Sequence, residues 1–310
     1  MASTKPRHFL SVTDLSVDEM KTVLKQADAL KKNRAAHAQE LQGKALAFYT
    51  EKASTRTRLS FQAAIQQLGG NFMDMAGSHL GGGKEDVSDT AQMVGLYADF
   101  LAARVFEHGL LEKLAQHSRI PIINALSDLE HPCQALADVQ TILAHKGPKA
   151  KVAYVGDGNN VCASLTLALS MLGIRLKVAT PKGFELDAGM VQKCKAFGNF
   201  ISYGTDPIAA ASGADVVYTD VWVSMGDEKE KDARMKAFAG FQVNNALMKH
   251  AAADAVFMHC LPAQKSLEVS RDVFDSPQSI VLEQAGNRLH AQKALLLFLD
   301  EPKNRQTKRK

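Results

Sequence analysis

Short apolar segments of strand length alternate with longer segments of helical period along almost the whole 310-residue chain. Residues 44–50, 71–75, 100–105 and 121–125 read as strands, and residues 55–68, 87–98, 110–116 and 132–145 carry apolar side chains at helical spacing. After a break at Gly147-Pro148 the pattern resumes, with strands at 151–155, 176–180, 216–220 and 256–260 and helices at 163–172 and 185–197. Strands separated by helices pair in parallel through crossover connections. The expected fold class is therefore α/β, with two doubly wound parallel-sheet domains at residues 1–146 and 147–310. A final apolar segment at 294–299 predicts a terminal helix, about 289–300, that packs back on the first domain. No internal repeat relates the two halves.

Ligands of open parallel sheets sit beyond the carboxyl ends of the strands, so the residues after each strand carry the chemistry. Ser54-Thr55-Arg56-Thr57-Arg58 follows the first strand and opens a helix. Its hydroxyls read as helix caps. With guanidinium groups beside them they also read as an anion site, where free N–H groups, the helix dipole and forked cations converge on a phosphate or carboxylate. Arg104, at the end of an apolar strand, taken alone reads equally as a snorkelling or ion-paired arginine. In His131-Pro132-Cys133-Gln134 the proline suits a first helical turn. His131 before it is able to donate a hydrogen bond to a carbonyl or to titrate as an acid.

In the second half, Gly156-Asp157-Gly158-Asn159-Asn160-Val161 follows a strand and looks like the start of a dinucleotide loop. Val161 stands where the third glycine belongs, and residues 178–182 hold no acid for a ribose. The amides of Asn159 and Asn160 suit a polar small molecule instead. Asp220, with Ser224-Met225-Gly226 after it, His259-Cys260-Leu261-Pro262, and Asn287-Arg288 occupy the remaining key places. His131, Cys133, His259 and Cys260 are metal-competent by type, but their spacing matches no zinc pattern, and the adjacent His259 and Cys260 side chains would diverge in an extended chain. Cys260 has the chemistry of a nucleophile, with no separate base identifiable from sequence.

Composition removes other classes. Five of the 37 basic side chains follow Glu301, and the rest nearly balance the 33 acids, so the net charge of +4 is a short solvated tail rather than a nucleic-acid footprint. No apolar run approaches the roughly 20 residues of a membrane helix, and Met1–His8 has no apolar core to mark a secretory leader. Four cysteines without CxxC spacing suit a reducing compartment. The expectation is a cytoplasmic protein that binds small molecules, with neither nucleic-acid nor membrane partners.

Taken in order, these motifs resemble the carbamoyltransferase family. Ser54-Thr55-Arg56-Thr57-Arg58 looks like its carbamoyl-phosphate loop and His131-Pro132-Cys133-Gln134 like its HPxQ motif. Asp220 with Ser224-Met225-Gly226, then His259-Cys260-Leu261-Pro262, is similar to the ornithine branch. The resemblance runs from Arg7 to Arg288 and the terminal helix. It implies an active site in the cleft between the two domains, with carbamoyl phosphate held by Ser54, Thr55, Arg56, Thr57, Arg104, His131, Gln134, Cys260, Leu261 and Arg288. Ornithine would be held by Asn160, Asp220, Ser224 and Met225, and Arg56, Arg104, His131 and Cys260 would serve catalysis. The implied reaction transfers a carbamoyl group to the δ-amine of L-ornithine, giving L-citrulline and phosphate in arginine biosynthesis, with no metal or organic cofactor. The implied assembly is a homotrimer or a higher multiple, each site completed by a neighbour's loop. Residues 77–85 align with that loop, where His79 and Leu80 stand in place of the family's usual glutamine, and Gly81-Gly82-Gly83 predicts mobility.

Overall fold

The computed structural model describes residues 6–51, 54–75, 80, 85–224 and 228–301. Among the described residues, nine strands form two all-parallel sheets: β1 (Ala45–Thr50), β2 (Asn71–Asp74), β3 (Phe100–Arg104), β4 (Ile122–Leu126), β5 (Lys151–Val155), β6 (Arg175–Ala179), β7 (Ile201–Gly204), β8 (Val216–Thr219) and β9 (Val256–His259). The first sheet runs β2-β1-β3-β4 and the second β7-β6-β5-β8-β9. The helices are α1 (Val17–Lys32), α2 (Thr55–Gln67), α3 (Val87–Tyr97), α4 (His108–His117), α5 (Pro132–Lys146), α6 (Asn160–Leu172), α7 (Ala188–Lys195), α8 (Pro207–Ala211), α9 (Lys231–Ala237), α10 (Asn245–Met248), α11 (Arg271–Phe274) and α12 (Val281–Asp300). The α/β class with two parallel sheets is the one the alternation predicts.

The chain divides into two compact units. The first holds the residues up to Leu136 together with those from Asn287 onward, and the second is Ala137–Gly286. In the first, β3 and β4 are buried along their whole length, as strands with both faces covered must be. Helix α1 starts at a capping box in which the Ser16 and Glu19 side chains each accept from the other residue's N–H. It buries Met20, Val23, Leu24, Ala27 and Leu30, a stripe at helical spacing. The C-terminal part of α12 is tied into this unit: Lys293 Nζ donates to the Arg34 carbonyl at 2.8 Å, Lys44 pairs with Asp300, and Arg7 lies 5.0 Å over the Phe298 ring.

In the second unit, Ala153, Val155, Val217, Trp222, Phe238 and Phe257 belong to one core cluster. Helix α6 is buried on nearly every side. At Gly158 a Cβ would come within 2.5 Å of the backbone at Glu185, so the turn that opens α6 admits no side chain there.

Candidate functional site

Strand order reverses between β1 and β3 in the first sheet and between β5 and β8 in the second. At such switch points the loops diverge and leave a crevice beyond the strand ends. Of the residues singled out in the sequence, Ser54–Thr57 and Arg104 stand at the ends of β1 and β3, and Asn160 and Asp220 follow β5 and β8.

In the first unit, the N-terminus of α2 follows β1. Ser54 is its N-cap residue, yet the side chain makes no capping hydrogen bond, and the first turn carries no acid. Of the two readings of this segment, capping is therefore not what the Ser54 hydroxyl does. Thr55 and Arg56 are exposed, Ser54 is half-buried and Thr57 is buried. Arg58 points elsewhere, into an ion pair with Asp74.

Arg104 ends β3 directly opposite Thr50 of β1 and is buried. Arg288, from α12, donates to Gln134 Oε1 at 2.5 Å and to the Thr57 hydroxyl at 3.2 Å. It thereby joins α2, α5 and α12 at one point. His131 is buried beside these groups. Desolvation first, then the Arg288 and Arg104 charges, hold it well below the usual imidazole range. It is a neutral ring at physiological pH, which selects the hydrogen-bonding role over the acid role. Cys133 has turned away: its thiol donates to the Asn124 carbonyl at 3.4 Å, and burial pushes its pKa up to about 12.

The second unit builds a site of opposite character. Asp220 follows β8 and is 4% exposed. Its Oδ2 accepts from Asn159 Nδ2 at 2.9 Å and its Oδ1 from the Cys260 thiol at 3.0 Å. Asn159 also caps α6 through its carbonyl oxygen, which accepts from the Val161 and Cys162 N–H groups. Both ends of the Asn159 amide are thus used internally, whereas Asn160 is the first residue of α6 and half-buried. Ser224 is half-buried after β8. Met225 and Gly226, residues 76–79 and 81–84 of the predicted loop, and the basic tail after Glu301 lie outside the described residues. Leu80 is described and packs in the first unit's core.

Cys260 lies one residue beyond β9, not within it as the strand boundary predicted. Burial, with Asp220 next, raises its thiol well above the ordinary range, so it is no thiolate nucleophile at neutral pH. Leu261 has φ 63°, a region bulky side chains rarely occupy, and its N–H donates to His259 Nδ1 at 2.9 Å. The ring proton therefore sits on Nε2, which donates to the buried Glu268 at 3.2 Å. Asp220, His259 and Cys260 bring three ligand-type atoms within 4.8 Å of one another. The divergence expected of His259 and Cys260 does not occur, because the strand ends between them. Both His259 nitrogens are hydrogen-bonded and the Cys260 proton is directed at Asp220, so the cluster is satisfied without an ion.

Sequence reasoning missed Arg234. It donates to Asp157 at 2.6 Å and to the Trp222 carbonyl at 3.1 Å, lies 4.9 Å over the Phe184 ring, and so braces the Gly156–Gly158 turn against the segment between Asp220 and Ser224.

Comparison with known proteins covers nearly the whole chain. Residues 7–144 match the family model of the aspartate/ornithine carbamoyltransferase carbamoyl-P binding domain, and residues 148–299 match that of the Asp/Orn binding domain. The chain belongs to the aspartate/ornithine carbamoyltransferase family. It is 46% identical over 305 residues to an ornithine carbamoyltransferase of Methanocaldococcus jannaschii, covering 96% of this chain and 100% of that one. It is 48% identical over 299 residues to one of Halorhodospira halophila, covering 94% and 98%. Among solved structures, the ornithine carbamoyltransferase of Pyrococcus furiosus matches with a TM-score of 0.88 at 45% identity, covering 96% of this chain and 97% of that one. The anabolic enzyme of Campylobacter jejuni matches with 0.90 at 39%, covering 95% and 99%. For a member of this family, Arg288 is notable. It lies among residues matched to the Asp/Orn binding model, yet its bonds reach Thr57 and Gln134 in the other half.

Proposed function

We propose that this carbamoyltransferase transfers the carbamoyl group of carbamoyl phosphate to the δ-amine of L-ornithine, giving L-citrulline and phosphate. The observation that carries the proposal is the opposition of two strand-end sites in one chain. One gathers arginines and a neutral imidazole at an uncapped helix N-terminus, and the other presents a carboxylate bonded to an amide and a thiol. An anionic acyl donor suits the first and a cationic amine acceptor the second. The relatives' names identify the pair as carbamoyl phosphate and ornithine.

In this reading Ser54, Thr55, Arg56, Thr57, Arg104 and Arg288 hold the phosphate within residues 1–146, with Arg288 reaching in from the chain's end. His131 and Gln134 hold the carbonyl and amide, and Cys260 and Leu261 line the path between the substrates. Within residues 147–310, Asn160, Asp220, Ser224 and Met225 hold ornithine. The δ-ammonium releases a proton to solvent, its neutral nitrogen attacks the carbonyl carbon, and negative charge grows on the carbonyl oxygen. Arg56, Arg104 and neutral His131 donate to that oxygen, and donors of this kind are worth about 3–4 kcal/mol each. The C–O bond to phosphate then breaks, phosphate leaves with the electron pair and takes the second proton of the attacking nitrogen, and the new C–N bond remains.

We place the enzyme in arginine biosynthesis in the cytoplasm, as a homotrimer. No helix of the described residues is long and apolar enough to cross a membrane. Leu59, Leu96, Tyr97 and Phe106 are exposed on the first unit, an apolar surface suited to contacts between subunits. Light scattering at a third of the trimer mass would remove the assembly proposal. The activity is tested by product formation from carbamoyl phosphate with ornithine, aspartate, putrescine and N-acylated ornithine. Citrulline from ornithine at a rate well above the others is expected, and equal or faster turnover of aspartate would overturn the substrate.

A further inference from the structure

The Cys260–Leu261 segment leans on a buried pair that the reaction as described does not use. His259 and Glu268 are both completely buried. Leu261 donates its N–H to His259 Nδ1 at 2.9 Å. That nitrogen therefore presents a lone pair, and the ring is neutral with its proton on Nε2. Nε2 donates to Glu268 Oε1 at 3.2 Å, and the same oxygen accepts the Gln264 N–H. Glu268 Oε2 is buried and has no hydrogen-bond partner among the described residues. The carboxylate thus serves through one oxygen, as an acceptor.

The backbone around this pair is anchored. The Glu268 carbonyl accepts the Val243 N–H at 2.9 Å, and the Ser270 N–H returns to the Val243 carbonyl at 2.9 Å. The His259 N–H is held by Gln284 Oε1 at 2.9 Å. Leu261 itself has φ 63°, a conformation that a bulky side chain keeps only where its surroundings over-determine it. Packing of its side chain against the core of the second unit is one such constraint, and the bond to Nδ1 is another.

We propose that Glu268 is a positioning residue for the reaction: by accepting the Nε2 proton it fixes the His259 tautomer that offers a bare Nδ1 to Leu261, and so holds the Cys260–Leu261 backbone in the conformation from which the Cys260 thiol reaches Asp220 at 3.0 Å. The opposite tautomer would set N–H against N–H at Leu261 and leave Nε2 facing the carboxylate without a proton between them. Buried polar groups would then lack partners, which costs more than the lost bonds were worth. Neither His259 nitrogen is left to take a proton from Cys260, so the pair positions that thiol without acting as its base. The consequence for turnover rests on the proposed carbamoyl transfer; the chain of bonds does not.

Residue-resolved hydrogen–deuterium exchange without substrates reads the chain of bonds, and citrulline formation reads its consequence. In Glu268→Leu the Nε2 proton has no acceptor, and the Leu261 amide is expected to exchange about tenfold faster or more, the worth of one buried hydrogen bond. The Val243 and Ser270 amides are expected to exchange as in wild type, whereas loosening of the whole region would speed them as well. In Glu268→Gln the amide oxygen accepts the same two N–H groups, and the Leu261 rate should stay within about threefold of wild type. Turnover is expected to follow: kcat falls about tenfold or more in Glu268→Leu and stays within about threefold in Glu268→Gln, with the pH profile of kcat/KM unshifted. An unchanged Leu261 rate in folded Glu268→Leu overturns the proposal. So does exchange about tenfold faster, or a shifted profile, in Glu268→Gln; either shows that the charge matters rather than the acceptor, and decides the question should Glu268→Leu fail to fold. In His259→Asn the side-chain oxygen takes the place of Nδ1, so adding Glu268→Leu should speed exchange at Leu261 no further. A further rise would overturn action through His259. Absence of citrulline from the wild-type assay would remove the carbamoyl-transfer reading and leave the exchange result standing.

Discussion

Helices α2 and α6 both begin at strand ends beside a switch point, and they treat their first turns in opposite ways. At α6 the Asn159 side chain caps the helix and its amide holds Asp220. At α2 the Ser54 side chain caps nothing. A helix N-terminus leaves N–H groups unsatisfied and carries partial positive charge. Where the chain satisfies those groups itself, the site is free to present a carboxylate to a cation. Where the N-cap side chain makes no such bond, as at Ser54, the proposed anion would take its place. In the proposed reading, the same supersecondary unit serves a cation or an anion according to whether the N-cap side chain is used internally.

The largest effect is expected at the open cap. Arg56→Lys keeps the charge but loses the fork that in the proposed reading would serve phosphate and carbonyl oxygen together, and turnover should fall by about 10²–10³-fold. The side chain is exposed, so thermal melting should be unchanged. A folded variant with most of its activity would show that the anion site has been misplaced.

Next is the pH profile. His131 is held neutral by burial and arginines, and Cys260 is held protonated by burial and Asp220. The first shift is downward and the second upward, each away from neutral pH. The rise in kcat/KM then belongs to the ornithine amine, of which on the order of 10⁻³ is neutral at pH 7 by comparison with lysine. An increase of up to about tenfold per unit is expected at the lower end of that span. A flat profile would exclude attack by a deprotonated amine.

At the internally capped site, Asp220→Asn should raise the ornithine KM by about 10–100-fold, the worth of a hydrogen bond to a charged group. Calorimetry with a non-transferable phosphonate analogue of carbamoyl phosphate should be unaffected. Parallel loss at both sites would mean that the variant is unfolding rather than losing one contact.

The smallest effects compare the caps directly. Asn159→Ala removes a used cap and should cost about 1–2 kcal/mol of stability. Ser54→Ala removes an unused one and should cost under about 0.5 kcal/mol. Equal losses in urea unfolding would erase the distinction between the two helices.

Much of this was legible in the chain, for identifiable reasons. Strands β1, β3, β4, β5, β8 and β9 announce themselves because parallel strands buried on both faces are continuous apolar runs, whereas β2, exposed at three of its four residues, shows only through Phe72-Met73. Strand β7 does not, since three of its four residues are exposed. Helix α1 is passed over by a reading that starts at the first apolar strand, although Ser16 and Glu19 stand at capping-box spacing. Arg56, Arg104, His131, Asp220 and Cys260 are visible because strand ends point to them. Arg234 and Glu268 are not, because a bracing residue is defined by its partners across the fold. Arg234 sits in the charge-rich run 228–236, which has the pattern of a solvated face. Protonation is the other hidden layer. Sequence places His131 and Cys260 near their ordinary titration ranges, and only burial and neighbouring charges displace both.

Hydrogen–deuterium exchange with one ligand at a time tests the division of labour most directly. The phosphonate analogue is expected to protect the backbone of residues 54–58 at the start of α2. L-norvaline, which is ornithine without its δ-amine, is expected to protect residues 220–224 in the presence of that analogue, with little added protection at 54–58. Protection of residues 220–224 by the phosphonate alone, with residues 54–58 unchanged, would contradict the assignment of anion and acceptor to the two sites.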